Sequence, residues 1–130
     1  MKIDPRSHVP IYLQIVESLR SAIAAGVFRP RESLPSLRAL ALETKVNPNT
    51  VQRAYDELER EGIVYSQRGK GLFVTEEGRS AAQDHARRTV RHKFLDVLHA
   101  ASGAGIGIGE VCKIFEAAVE GFAKKEGQTK

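Results

Sequence analysis

The sequence predicts a mainly α-helical chain with one small β-hairpin, and three observations carry that expectation. Apolar residues recur at helical spacing in five separate stretches. Two short β-prone runs, residues 63–66 (IVYS) and 72–75 (LFVT), flank a basic, glycine-rich turn. Proline and glycine punctuate the boundaries, at Pro10, Gly26, Pro35, Pro48 and Gly62. The chain has 130 residues, 42% of them hydrophobic and 28% charged, which describes a soluble globular protein rather than a disordered one. Its net charge of +4 allows an anionic partner without requiring one.

The first helix follows Pro10, with Tyr12, Ile15, Val16, Leu19 and Ile23 on one side and Gly26 as its stop. Residues 27–34 (VFRPRESL) form a connector broken by Pro30. Pro35 and Ser36 open a short second helix that turns Leu37, Leu40 and Ala41 inward and ends near Thr44. After Lys45 and Val46, Asn47 can cap a third helix whose first position is Pro48, where a missing N–H is harmless.

In that helix Val51, Ala54, Tyr55 and Leu58 make the apolar stripe, and Asn49, Gln52, Arg53 and Asp56 fall on another. Two helices joined by a tight turn, the second offering amides and a guanidinium near its start, match a helix-turn-helix whose recognition helix enters the major groove. Asn and Gln can pair with adenine edges and Arg with guanine. Asp56, Glu57, Glu59 and Glu61 would be repelled by phosphates, so that end must leave the groove or turn back onto its own protein. The same pattern also describes an amphipathic surface helix with solvated charges. The hairpin that follows adds a wing with Arg68, Gly69 and Lys70 at its tip, suited to the minor groove or to phosphates, although such tips also serve turn geometry and solubility alone.

Residues 10–74 resemble the winged-helix domain of the GntR family of bacterial transcription regulators, through PIYLQI, LPSLRALA, VNPNTVQRAYDELEREG and RGKGLFV in that order. The resemblance implies that Arg38 contacts a base or phosphate. It places Asn49, Thr50, Gln52 and Arg53 at the groove and Arg68 with Gly69 at the minor groove; Asn47, at the helix start, is expected among the DNA-binding residues as well. There are departures: Arg31 and Lys45 stand where the family commonly has glycine, which predicts strained turns. Pro48 replaces an arginine that some subfamilies point into the groove, so their base preference does not carry over.

Residues 76–130 are too few for the ligand-binding domains of most such regulators. Ala82, Ala86, Val90, Phe94, Val97, Leu98 and Ala101 mark one helix, and Val111, Ile114, Phe115, Ala118, Val119 and Phe122 another, of about 20 and 16 residues by their periodicity. SGAGIGIG between them reads as an interhelical turn, since it follows a helix and lacks the G-x-G-x-x-G spacing. Two such helices cannot cover each other's stripes, so a second copy should complete a four-helix bundle through Val90, Phe94, Val97, Leu98, Val111, Ile114, Phe115, Ala118 and Phe122. The arrangement is similar to the YtrA-type subgroup, whose members often control transporter operons.

His85, His92 and His99 recur every seven residues, and His92, Asp96 and His99 share a face, but solvated stripes of this kind are commoner than metal sites. Cys112 is alone, so no intramolecular disulfide forms, no zinc-finger spacing exists and a reducing compartment fits. No acid, base and nucleophile converge in sequence, so no catalytic residue, metal or cofactor is expected. The N-terminus lacks an apolar signal core and no run is long enough to span a membrane. The expectation is therefore a winged helix-turn-helix over residues 1–75 and a helical dimerisation hairpin over residues 76–130. Its partners would be a double-stranded DNA operator and a second copy, in the cytoplasm. No pattern names a small-molecule effector.

Overall fold

In the computed structural model, which describes residues 1–128, the expected helices form where their apolar stripes meet. They are α1 (Ile11–Ala24), α2 (Leu37–Thr44), α3 (Pro48–Arg60), α4 (Gly78–Gly103) and α5 (Ile108–Gln128), with a hairpin of β1 (Val64–Gln67) and β2 (Gly71–Val74) after α3. The chain divides into two compact units, the first ending at Arg87.

In the first unit, Ile15, Val16, Leu19 and Ile23 of α1 are buried with Val51, Ala54, Tyr55 and Leu58 of α3, and Leu40 of α2 joins them. Arg20 crosses from α1 to Glu61, its Nε donating to Oε1 at 2.9 Å and its Nη2 to Oε2 at 2.7 Å. This bidentate, charge-assisted pair fixes the far end of α3. The Tyr55 hydroxyl donates to the Pro35 carbonyl at 2.7 Å and ties the middle of α3 to the start of α2.

The hairpin pairs Val64 with Val74, Tyr65 with Phe73, Ser66 with Leu72 and Gln67 with Gly71. Both strands lie one residue nearer the tip than residues 63–66 and 72–75 would place them. Ile63 is held in the turn after α3, where its N–H donates to the Leu58 carbonyl at 3.1 Å. Gly69, at φ 75°, lets the tip close so tightly that Gln67 and Gly71 still pair. The connector after α1 also pairs with the hairpin: Ser33 bridges Phe73, and Leu34 N–H donates to the Leu72 carbonyl at 2.8 Å.

The first unit runs past the boundary expected after Thr75 because the opening turns of α4 pack into it, with Gly78 and Ala82 buried. A Cβ on Gly78 would stand 2.5 Å from the Ile63 carbonyl oxygen, so only glycine lets this helix start so close to the hairpin. That is why α4 has 26 residues rather than about 20; α5 has 21 rather than about 16. Hydrophobic periodicity reports an apolar stripe and not a close backbone approach.

In the second unit, Phe94 and Phe115 meet edge to face with ring centres 5.7 Å apart. Around this contact Val90, Phe94, Val97, Leu98, Ile114, Phe115 and Phe122 keep between 43% and 65% of their surface exposed. Ala118 is exposed and Val111 half-buried. Leu95, Ile108 and Val119 extend the exposed apolar set.

Burial, and secondarily the charge of Glu43, pushes the Tyr55 phenol from 10.0 up to about 12. The folded chain then holds the neutral phenol more tightly than the unfolded chain does. Its contribution is intact below about pH 10 and is lost as pH rises towards 12. We expect Tyr55→Phe to cost about 0.5–1.5 kcal/mol at neutral pH through the lost hydrogen bond, yet to lose less stability than the parent as pH rises from about 10 towards 12. Denaturant titrations at both pH values check this, and equal alkaline losses would contradict it.

Candidate nucleic-acid interface

The turn between α2 and α3 is built to start a helix abruptly. The Ser36 hydroxyl accepts from Ala39 N–H at 3.1 Å and caps α2. The Asn47 side-chain oxygen accepts from Asn49 N–H at 2.8 Å and caps α3, with Pro48 at its first position. Asn47 thus spends its acceptor on the backbone, leaving its amide donors to offer outward. Lys45, ending α2, takes φ 57°, and Arg31 takes φ 67° in the earlier turn. Both positions therefore carry the strain that their departure from glycine implied.

With the apolar stripe of α3 buried, Asn49, Gln52 and Arg53 are exposed and Thr50 is half-buried. The acidic end turns back onto the protein. Asp56 accepts from Gln52 Nε2 at 2.8 Å, Glu57 pairs with Arg60, and Glu61 holds Arg20. Glu59 accepts from the Ser66 hydroxyl at 3.0 Å. Each carboxylate that would repel a phosphate already faces a donor of its own chain. Arg53 is held differently, with its guanidinium carbon 3.8 Å from the centre of the Tyr12 ring on α1.

Between α3, the start of α2 and the hairpin lies a cleft of about 630 Å³. Its lining includes Gln52 from α3, Ser36 from the cap of α2, and Arg68, Gly69 and Lys70 from the wing tip. The fold therefore brings Gln52 together with all three wing residues singled out from sequence. Arg38, on the exposed face of α2, and Asn47, Asn49, Thr50 and Arg53 lie outside that lining. Ser66 and Gln67 line it too, but in sequence Ser66 only ends a β-prone run and Gln67 only opens the turn that follows. Tyr12 was legible only as an apolar position of α1.

Among the described residues no three His, Cys, Asp or Glu side chains are grouped to hold a metal ion, and no helix is long and apolar enough to cross a membrane. Cys112 is exposed.

Comparison with known proteins adds independent findings. Residues 11–74 match the model of "Bacterial regulatory proteins, gntR family". The chain is 34% identical over 129 residues to the HTH-type transcriptional repressor YtrA of Bacillus subtilis, covering 97% of this chain and 99% of that one. A transcriptional regulator from Oenococcus oeni has a similar structure, with TM-score 0.75 and 30% identity over 90% of this chain and 97% of the other. The DNA-binding domain of AraR, solved in complex with operator ORX1, superimposes with TM-score 0.54 and 29% identity over 58% of this chain and 95% of the other.

Relieving the left-handed strain at Lys45 gives a direct check on the turn. Lys45→Gly is expected to raise stability by roughly 0.5–1 kcal/mol, because glycine tolerates positive φ and only part of the gain is offset by its greater freedom when unfolded. A melting temperature at or below that of the parent would show the turn to be unstrained.

Proposed function

The chain belongs to the GntR family of bacterial regulatory proteins, and on that premise we propose that it is a transcriptional repressor acting as a homodimer on a palindromic operator. The observation that carries the reading is the cleft in which Gln52 of α3 and Arg68, Gly69 and Lys70 of the wing lie together. With α3 in the major groove, Asn49, Thr50, Gln52 and Arg53 face base edges from the helix start, and Arg38 approaches from α2. The wing reaches the adjacent minor groove, where a guanidinium meets the most negative potential and Gly69 permits close backbone approach.

Dimerisation rests on the exposed apolar residues of α4 and α5, too extensive for a helix pair in water and suited to a second copy of the same surface. A two-fold dimer presents two recognition helices to two half-sites, and the second contact forms at high effective concentration. Occupying a promoter in this way blocks transcription in the cytoplasm, and control of a transporter operon fits the YtrA-type resemblance. In this reading the DNA-facing residues all lie within residues 1–75, and the exposed apolar residues of α4 and α5 from Val90 onwards assemble the dimer.

Selection of bound duplexes from a random DNA pool, using the purified full chain, tests the proposal: a palindrome should be enriched, and failure to enrich any sequence would sink it. On the selected duplex, Arg38→Ala should weaken binding by about 1–3 kcal/mol for each base edge it no longer reads, with little change in melting temperature. Arg68→Ala should act more evenly across sequences and flatten the salt dependence by about one unit for each phosphate it no longer neutralises. Phe94→Asp should yield a monomer by sedimentation, with greatly weakened binding to the palindrome, since it places a charge where the bundle buries an aromatic ring. A variant that stays dimeric would move the dimer contact elsewhere.

A further inference from the structure

Arg53 is oriented before any DNA is present. An arginine in the middle of a helix with acids three and four residues ahead would ordinarily pair with one of them. Here those acids, Asp56 and Glu57, are engaged by Gln52 and Arg60. The Arg53 guanidinium lies instead over the ring of Tyr12, 3.8 Å from its centre. Tyr12 is half-buried and packs against the core that joins α1 to α3, so the ring is a fixed platform. A neutral ring differs from a carboxylate in what it leaves available. It restrains the guanidinium without cancelling its charge, and a π face offers no carboxylate oxygens to take up the N–H groups.

We infer that Tyr12 is a positioning residue for DNA recognition, acting through Arg53: it holds the guanidinium in place for an acceptor on the DNA, either a base edge or a phosphate oxygen. The inference rests on the operator reading above. Packing alone does not require an aromatic ring here, since Tyr12 continues the stripe of Ile15, Val16, Leu19 and Ile23, where an aliphatic residue would serve. What the ring adds is its π face. An untethered arginine would lose its rotamer freedom on binding, whereas a stacked one has already lost much of it.

The test is a double-mutant cycle on the selected palindromic duplex, read by fluorescence anisotropy, with Tyr12→Leu, Tyr12→Phe, Arg53→Ala and the combination of Tyr12→Leu with Arg53→Ala. Tyr12→Leu should weaken binding by about 2- to 10-fold, the range for having to order one long side chain on binding, and Tyr12→Phe should bind as the parent does. In the Arg53→Ala background Tyr12→Leu should cost nothing further. Melting curves monitor folding, and Tyr12→Met replaces Tyr12→Leu if the latter unfolds. Repeating the cycle on a scrambled duplex separates the two acceptors: coupling that vanishes there assigns a base edge, and coupling that persists assigns a phosphate. The inference is overturned if the Tyr12→Leu loss recurs in full without Arg53, or if Tyr12→Phe binds as poorly as Tyr12→Leu, which would make the hydroxyl the DNA contact. If Arg38→Ala and Arg68→Ala weaken binding while Arg53→Ala does not, this inference fails and the operator reading stands. If no sequence is enriched at all, the operator reading itself has failed.

Discussion

Burying Val51, Ala54, Tyr55 and Leu58 against α1 and α2 fixes the rotation of α3 about its own axis. Successive residues on a helix are about 100° apart, so slipping the buried stripe by one position would turn Gln52 inward in one direction and Arg53 inward in the other. Two polar contacts pin that rotation. The Tyr55 hydroxyl on Pro35 sets the middle of the helix, and the Arg20–Glu61 pair sets its end. A buried ion pair of this kind contributes little net stability against an apolar replacement, but removing one partner strands the other charge. What it does visibly is join α1 to the end of α3 at two points of one carboxylate.

The charges of α3 follow from the same constraint. The donors near its start face outward, and the carboxylates near its end are each met by a donor of the protein, from Gln52, Arg60, Ser66 or Arg20. Repulsion from a polyanion is thereby weakened without removing the acids that organise the fold. Glu61 illustrates the point: it belongs to the acidic end of the helix in sequence and to the α1–α3 seam in space.

The helices and the hairpin were legible because each stripe is periodic and each boundary carries a cap, a proline or a glycine. The cap at Asn47 could be read outright, and the family resemblance pointed to the turns at Arg31 and Lys45, where a departure from glycine left a structural mark. The start of α4 and the reach of the first unit to Arg87 were not, because they depend on Gly78 lying against the Ile63 carbonyl, a contact between distant backbone segments. The pairing of Ser33 with Phe73 was hidden for the same reason, inside a stretch that reads only as a connector broken by Pro30. Of the candidate site, Gln52 and the wing tip could be picked out by residue type. The stack of Arg53 on Tyr12 could not, since Tyr12 satisfies the apolar pattern of its own helix completely.

A free two-stranded hairpin has two open edges, and open edges invite strands from other molecules. Here the β2 side is occupied by the connector at Ser33, and on the β1 side the Ser66 N–H donates to the Glu59 carboxylate at 3.2 Å. A strand arriving from a neighbouring chain would have to displace the carboxylate from that donor. The wing can therefore stay short, glycine-rich at its tip and exposed without becoming a seed for edge-to-edge aggregation, even where many copies crowd together.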